Sequence, residues 1–192
     1  MKKIIVGVSG ATGTIYAVKL LEALRKVNIE THLVISDGAV KVMKLETEYD
    51  PEMLASLASF AYDVNDLGAP IASGSFLADG MVVVPCSIKS LSAIANSYTD
   101  NLLIRAADVI LKERRKLVLV VRETPLHAGH LRLMLKASEI GAVILPPVPA
   151  FYHRPATIDD VVNQTVGKIL DQFGIDAGLF KRWDALSFYP RA

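Results

Sequence analysis

The chain has 192 residues, with 21 Lys and Arg against 20 Asp and Glu, and a formal net charge of +1. This length suits one domain, and the balanced charge argues against a general nucleic-acid binder, which needs a basic face. Hydrophobic residues make up 52% of the chain, which excludes an intrinsically disordered protein and predicts that a membrane or other subunits cover surplus apolar surface.

The apolar segments are too short to cross a membrane. The runs Met81–Pro85 and Leu117–Val121 fall far below the roughly 18–20 residues that a spanning helix needs. The N-terminal run Ile4–Val8 is also shorter than the about 7–15 apolar residues of a signal peptide. The single cysteine, Cys86, permits no intrachain disulfide and no cysteine-based zinc cluster. We therefore predict a cytoplasmic protein that assembles with other subunits.

Apolar runs alternate with amphipathic segments along the whole chain. The predicted elements are, in order, strand Ile4–Val8, helix Thr14–Val27, strand Thr31–Ile35, helices Ala39–Leu45 and Pro51–Ala61, strand Met81–Pro85, helices Ser87–Ser97 and Asn101–Arg114, strand Leu117–Val121, helix Gly129–Ile140, strand Ala142–Leu145 and helix Thr157–Phe173. This alternation predicts a single α/β domain over residues 1–192, with a parallel sheet between two helical layers and residues 175–192 as a tail. Such sheets bind ligands at the carboxyl ends of their strands.

The turn after the first predicted strand contains Gly7, Gly10 and Gly13. Ser9 replaces the second glycine of the dinucleotide fingerprint, and no Gly-Lys-Ser/Thr follows, so the turn matches neither that motif nor a P-loop. Exposed backbone N–H groups at a helix N-terminus favour a phosphate or a flavin mononucleotide. The alternative is a tight turn whose glycines only permit close packing.

Hydroxyl side chains follow the second and third predicted strands. Ser36 comes after the second, and Ser87, Lys89 and Ser90 come after the third. Hydroxyls with an ammonium group at a helix start form a polar patch, although the same serines are also good N-caps. Cys86, without a histidine near it in sequence, is predicted to be a small buried hydrophobic residue.

Charged residues follow the fourth predicted strand, and aromatic ones the fifth. Arg122 offers a planar fork to an anion and Glu123 offers a proton acceptor or donor, unless the two form only a structural ion pair. The proline-rich loop after the fifth strand presents residues 151–154, Phe-Tyr-His-Arg. The pair His127 and His130 lacks a third ligand, so we predict no metal site there.

These blocks, taken together, closely resemble the flavin prenyltransferase family of the UbiX type. The resemblance runs through VGVSGATGTIYAVKLL, VVPCSIKSLSAIA, LVLVVRETP and GAVILPPVPAFYHRPATIDDVVNQTVGKILDQFGI, nearly the whole chain. It implies a flavodoxin-like Rossmann fold, a homododecamer, and reduced FMN and dimethylallyl phosphate as substrates, with no metal. It further implies prenyl transfer to flavin N5 and then C6, giving prenylated FMN for UbiD-type decarboxylases, as in ubiquinone synthesis; the family has also been described as aromatic acid decarboxylases.

The resemblance also implies site residues. FMN contacts fall on Gly10, Ala11, Thr12, Ser36, Ser87, Ile88, Lys89, Ser90 and Arg122. Contacts to dimethylallyl phosphate fall on Tyr152, Lys168, Lys112, Arg122 and Trp183, and catalytic roles on Glu123, Glu46, Lys112 and Thr12. Thr12 stands where serine is frequent in the family, and Lys168 where some relatives carry arginine, which keeps the charge but loses bidentate geometry.

The implied chemistry suits these side chains. Lys112, Arg122 and Lys168 can stabilise a departing phosphate without an aspartate-rich metal clamp, and Glu123 can transfer a proton. Two alternatives remain: an FMN-dependent decarboxylase and a non-enzymatic flavin carrier on the same fold. The cysteine decarboxylases of this fold use a histidine after the second strand, whereas this chain has none between His32 and His127.

Overall fold

Six strands form one parallel sheet in the order β3-β2-β1-β4-β5-β6. The computed structural model describes residues 2–183. The strands are β1 Lys3–Val8, β2 Glu30–Ile35, β3 Phe60–Tyr62, β4 Gly80–Cys86, β5 Lys116–Val121 and β6 Ala142–Ile144. Continuous apolar runs form the central strands because both of their faces are buried.

The chain reverses direction across the sheet between β1 and β4. It runs outward from β1 to β2 and β3, then returns to place β4 on the other side of β1, with Ile4 opposite both Thr31 and Gly80. This is the doubly wound, flavodoxin-like α/β topology, as predicted. Ligands of such sheets bind at the carboxyl edge where the strand order reverses.

Helices cover both faces of the sheet. One layer contains α1 Thr14–Lys26, α2 Asp37–Glu46, α3 Pro51–Leu57 and α7 Ile158–Asp171, and the other contains α4 Ile88–Ala95, α5 Leu102–Lys112, α6 Ala128–Glu139 and a short 3-10 helix, Pro70–Ala72. Successive strand residues enter opposite cores: Ile5 packs with α4 and α5, whereas Ile4 and Val6 pack with α1 and α7.

Side-chain caps begin most of the helices. Ser36, Asp50, Ser87, Asn101, His127 and Thr157 each accept a hydrogen bond from a backbone N–H in the first turn of the helix that follows. Thr157 and Asp160 form a full capping box. The start of α1 differs, because Gly13 has a left-handed φ of 102° and provides no side-chain cap.

One predicted helix was wrong at its C-terminal end. The helix expected over Pro51–Ala61 ends at Leu57, and Phe60 begins β3 at the edge of the sheet. Two reciprocal hydrogen bonds hold this edge strand: Thr31 N–H donates to Ser59 Oγ at 3.1 Å, and Ser59 N–H donates to Thr31 Oγ1 at 3.0 Å. Tertiary pairing therefore overrides the helical periodicity that continues past Leu57.

The segment after α7 packs back onto that helix. The Phe180 ring lies where a Cβ on Gly167 would be, and the Arg182 guanidinium bonds both carboxylate oxygens of Asp171, at 2.7 and 3.1 Å. Residues 184–192 of the predicted tail lie outside the described residues. No helix within residues 2–183 is both long enough and apolar enough to span a membrane.

Candidate functional site

A cavity of about 500 Å³ lies at the carboxyl edge of the sheet, beside the point where the strand order reverses. Turns after β1, β2, β3, β4 and β5 and the start of α5 enclose it. Its lining residues are Gly10, Ser36, Asp37, Gly38, Val64, Asn65, Ser87, Ile88, Lys89, Ser90, Ala93, Asp100, Asn101, Leu103, Ile104 and Glu123. The volume is within the usual range for a small-molecule site.

The Gly-rich turn after β1 brings bare backbone to the cavity. A Cβ on Gly10 would lie 2.9 Å from the Cα of Gly38, so the turns after β1 and β2 are in backbone contact and Gly10 has no room for a side chain. Ala11 and Thr12 complete the turn, both partly buried. The N–H of Gly13 donates to Glu46 Oε2 at 2.8 Å, which brings the predicted Glu46 to the start of α1.

The starts of α2 and α4 face the same cavity. Ser36 Oγ accepts from the Ala39 N–H at 3.2 Å, and Ser87 Oγ accepts from the Ser90 N–H at 3.2 Å. The cap interpretation of both serines is thus confirmed, and both also line the cavity beside Lys89. Helix N-termini carry partial positive charge, so this arrangement favours an anionic group such as a phosphate.

Arg122 and Glu123 follow β5, and of the two only Glu123 lines the cavity. The Arg122 N–H donates to the Cys86 carbonyl at 3.0 Å, whereas Glu123 is exposed and lines the cavity. No ion pair joins the two side chains in the described part of the chain, so the structural-pair alternative is wrong.

The Arg122 charge acts on the phenol of Tyr16 in α1. Burial raises the pKa of Tyr16, while a hydrogen bond with Thr165 and the charge of Arg122 act to lower it.

Cys86 is the last residue of β4 and is fully buried. Burial raises the pKa of its thiol to about 12, which keeps the thiol neutral and unreactive. The prediction that Cys86 is a buried hydrophobic residue is confirmed.

None of the five predicted donor-site residues, Tyr152, Lys168, Lys112, Arg122 and Trp183, lines this cavity. Lys168 lines a separate groove of about 400 Å³ between β6 and α7, and its Nζ donates to Asp171 Oδ2 at 3.3 Å. Tyr152, in the loop after β6, meets the Trp183 ring edge-to-face with 5.5 Å between ring centroids. Within one chain, therefore, Lys168, Tyr152 and Trp183 lie apart from the cavity of about 500 Å³.

Lys112 lies at the far end of a helix whose first turn lines the cavity. It is the last residue of α5 and lies eight positions after the lining residue Ile104, which corresponds to about 12 Å of helical rise. Its Nζ contacts the carboxylate of the neighbouring Glu113 near the amino edge of the sheet. Lys112 and Glu123 of the same chain therefore lie at opposite edges of the sheet.

Several cavity residues were not anticipated. Asp37 and Gly38 directly follow Ser36, Asn65 follows the missed strand β3, and Asp100 and Asn101 precede α5. Asn101 carries a signal that sequence reasoning can use, since it caps α5 by accepting the Ile104 N–H at 3.1 Å. Its Nδ2 also donates to Asp100 Oδ1 at 2.9 Å, which fixes a carboxylate at the rim.

The two histidines after β5 form no metal site with their neighbours. Their ring centroids lie 3.6 Å apart with the ring planes tilted by 33°, and His127 caps α6 by accepting the Gly129 N–H. Among residues 2–183, no three His, Cys, Asp or Glu side chains are grouped so as to hold a metal ion. The cavity provides backbone amides, hydroxyls and one lysine for an anionic organic ligand, together with the carboxylates of Asp37, Asp100 and Glu123.

Comparison with known proteins identifies similar chains over nearly the full length. A family model described as Flavoprotein matches residues 1–170. A flavin prenyltransferase UbiX from Thauera aromatica is 61% identical over 181 residues, which covers 94% of this chain and 93% of that protein.

Solved structures are similar in both sequence and fold. A crystal structure of AnUbiX in complex with FMN and dimethylallyl pyrophosphate superposes with a TM-score of 0.95 at 52% identity, covering 96% of this chain and 98% of the other. A dodecameric FMN-dependent UbiX-like decarboxylase from Escherichia coli O157:H7 superposes with a TM-score of 0.93 at 50% identity, covering 95% and 100% of the two chains.

Proposed function

Because the chain belongs to the flavin prenyltransferase family of the UbiX type, we propose that the cavity of about 500 Å³ holds reduced FMN and receives the dimethylallyl group of dimethylallyl phosphate. The enzyme is a transferase that joins a prenyl group to the flavin. Attachment first at N5 and then at C6 is the finer part of this proposal.

The single observation that carries the proposal is the convergence of helix starts on one cavity. The starts of α2, α4 and α5 line it beside Lys89, and the turn before α1 presents bare backbone there at Gly10. Such a cradle fits the phosphate of a mononucleotide. The volume leaves room for a flavin ring between this cradle and Glu123.

The protein's own residues then have distinct tasks. Gly10, Ala11, Thr12, Ser36 and residues 87–90 bind FMN in this proposal. Arg122 holds an anionic atom of FMN or of the donor through its planar fork. Glu123, which is exposed and forms no ion pair within residues 2–183, transfers a proton.

The donor is held by cations and an aromatic ring. Lys168 and Tyr152 contact the phosphate in this proposal, and Trp183, packed edge-to-face on Tyr152, covers the prenyl group. Positive charge near the breaking C–O bond stabilises the leaving phosphate, and aromatic walls exclude water from the reacting carbon. Bound reduced FMN supplies the nucleophilic atoms.

Assembly completes the site in this proposal. Lys112 belongs to the donor site by its family position but lies at the opposite edge of its own sheet, so it serves the site of another copy. Large apolar side chains that are exposed in one chain support subunit contacts, namely Leu45, Leu77, Phe151 and Ile158. We propose a homododecamer, the state of the similar structure from Escherichia coli O157:H7.

Three further points extend the proposal. The product, prenylated FMN, passes to a UbiD-type decarboxylase. Residues 1–192 form a single domain with a C-terminal tail from residue 175, whose described part packs on α7. A cytoplasmic location stays a prediction from the sequence.

A single-turnover experiment tests the function. The protein is incubated without oxygen with reduced FMN and dimethylallyl phosphate, and the released flavin is analysed by mass spectrometry. We expect one added C5H8 unit, with the same yield in excess EDTA, because the proposed phosphate ligands are cationic side chains. Unmodified FMN would contradict the function, and a yield lost in EDTA and restored by Mg²⁺ would contradict the metal-free mechanism.

A further inference from the structure

Ser9 occupies the point where the sheet reverses its strand order. It directly follows β1 and is 1% exposed, so it does not line the cavity. Its Oγ donates to the Pro85 carbonyl at 3.0 Å and accepts from the Ser87 N–H at 2.8 Å, and its own N–H also donates to Pro85 O at 3.2 Å. Ser9 therefore joins the end of β1 to the end of β4 by three hydrogen bonds.

These bonds replace strand pairing that stops just before the site. The register between β1 and β4 runs to Gly7 opposite Val83 and ends there. Pro85 has no N–H with which to continue the ladder. A hydroxyl both donates and accepts, so Ser9 satisfies the carbonyl of Pro85 and the N–H of Ser87 together.

A displacement of Ser9 would shift two turns that line the cavity. On one side, Ser87 Oγ accepts from the Ser90 N–H and thereby fixes the first turn of α4. On the other side, the next residue is Gly10, whose backbone lies against Gly38 in the turn after β2. The turns after β1, β2 and β4 are thus connected through two adjacent residues.

We propose that Ser9 is a positioning residue for flavin binding and prenyl transfer: its hydroxyl holds the Gly10 turn and the Ser87–Ser90 turn at the spacing that the FMN phosphate and ribityl chain require. This inference rests on the proposed function of the cavity. The dinucleotide fingerprint has glycine at the position of Ser9 so that a pyrophosphate can approach. Here the hydroxyl at that position instead joins two loops behind a mononucleotide.

The test compares three Ser9 variants with a matched control at the other edge of the sheet. Ser9→Ala removes the hydroxyl, Ser9→Thr retains it, and Ser9→Cys keeps the size with a weak hydrogen-bonding group. Thr31→Ala is the control, because Thr31 is also buried and its hydroxyl also accepts a backbone N–H across two elements, at the amino edge. Dissociation constants for FMN, single-turnover prenylation rates at saturating FMN, and melting temperatures are measured for each.

We expect Ser9→Ala to weaken FMN binding about 10-fold and to slow prenylation at saturation about 10-fold, because misplaced ligands react slowly. Ser9→Thr should keep the parent affinity and rate, because it retains the hydroxyl. Ser9→Cys should give values between those of the parent and Ser9→Ala, and it replaces Ser9→Ala in the comparison if that variant does not fold. Thr31→Ala should lower the melting temperature with binding and rate unchanged.

Two results would overturn the inference. One is an FMN affinity and rate for Ser9→Ala, or for Ser9→Cys in its place, equal to those of the parent. The other is the same loss of binding and rate in Thr31→Ala, which would show that any loss of stability has this effect. Failure of the parent protein to bind or prenylate FMN would instead contradict the proposed function, so the two failures are distinguishable.

Discussion

Glu46 caps the N-terminus of a helix to which it does not belong. The N–H of Gly13 donates to Glu46 Oε2 at 2.8 Å, which joins the last residue of α2 to the start of α1. α1 has no side-chain cap of its own, so this carboxylate satisfies an N–H that otherwise has no partner within the helix. A negative charge at that position is also stabilised by the helix dipole.

The cap and the charge of Glu46 can be separated by substitution. Glu46→Gln retains an oxygen acceptor for Gly13 and removes the charge, whereas Glu46→Ala removes both. We expect Glu46→Ala to lose about 0.5–2 kcal/mol of unfolding free energy, the usual cost of a lost cap. Glu46→Gln should lose only the interaction of the charge with the helix dipole, about 0.3–1 kcal/mol.

Both Glu46 variants should prenylate FMN more slowly, because the catalytic role that the family resemblance implies for Glu46 needs its charge. Thermal unfolding and single-turnover rates measure the two effects, with the exposed Glu48→Gln as control. If Glu46→Gln prenylates FMN at the rate of the parent protein, Glu46 acts only as a helix cap and has no catalytic role.

Glu123 should affect the chemical step rather than binding. It lines the cavity, and its Oε1 accepts only the Thr124 N–H among the hydrogen bonds that residues 2–183 provide. We expect Glu123→Gln to bind FMN with parent affinity and to form prenylated FMN at least about 10²-fold more slowly, the usual value of a positioned proton-transfer group.

Arg122→Ala provides the contrast for Glu123→Gln. Its main defect should be weaker FMN or donor binding, by about 1.5–3 kcal/mol for one lost charged hydrogen bond. Single-turnover rates at saturating ligand and separately measured FMN affinities distinguish the two variants. If Glu123→Gln reacts at the parent rate once saturated, the proton-transfer role should move to Glu46.

Burial of His32 should make stability fall as the pH drops below neutrality. His32 is 2% exposed, with Nδ1 2.8 Å from the Tyr62 hydroxyl and Nε2 2.9 Å from Glu30 Oε1, and its ring stacks on Phe60. Burial lowers the pKa of His32, and the neighbouring Glu30 only partly opposes this. The unfolded chain therefore binds a proton at higher pH than the folded protein does.

The sign follows from that difference in pKa. Stability is fully present above the ordinary histidine value of about 6.5 and is lost as pH falls from there through the lower folded pKa. We expect the melting temperature to fall between neutral pH and the folded pKa of His32, and His32→Gln to flatten this decline. An unaltered slope in His32→Gln would contradict the assignment.

The sequence predicted the layers of the fold better than its edges. Central strands such as β4 and β5 are continuous apolar runs because both faces are buried, so their pattern needs no tertiary information. The edge strand β3 has only three residues and depends on the reciprocal Thr31–Ser59 bonds, which local pattern does not reveal. Missing β3 also meant missing Asn65, which follows it in the cavity.

The rule that ligands bind at strand ends predicted several residues of the cavity, whereas the position of a residue on a helix did not show whether it lies there. Ser36, Ser87 and Glu123 were predicted from the rule that ligands meet the carboxyl ends of strands, and all three line the cavity. Lys112 and Lys168 lie on helices, where sequence order says little about which edge or groove a side chain reaches. Their separation from Glu123 depends on the tertiary positions of α5 and α7.

The position of Lys112 yields a test of a site shared between subunits. Lys112 lies at the end of α5 remote from the cavity of its own chain, where it contacts Glu113. If its donor-site role is exercised in another copy, Lys112→Ala and Glu123→Gln damage the same composite site from two different chains. Each variant alone should be nearly inactive, because every site in its oligomer carries the defect.

Mixed oligomers should regain activity. When the two variants are co-expressed and assemble at random, about one quarter of composite sites receive an intact Lys112 from one chain and an intact Glu123 from another. We expect prenylation near that fraction of the parent rate. Co-expressed Arg122→Ala and Glu123→Gln provide the control, since both residues follow the same strand and random mixing creates no intact site. Absence of rescue in the Lys112 mixture, with mixed assembly verified by mass spectrometry, would mean that Lys112 does not act across subunits, and its place in the donor site would have to be abandoned.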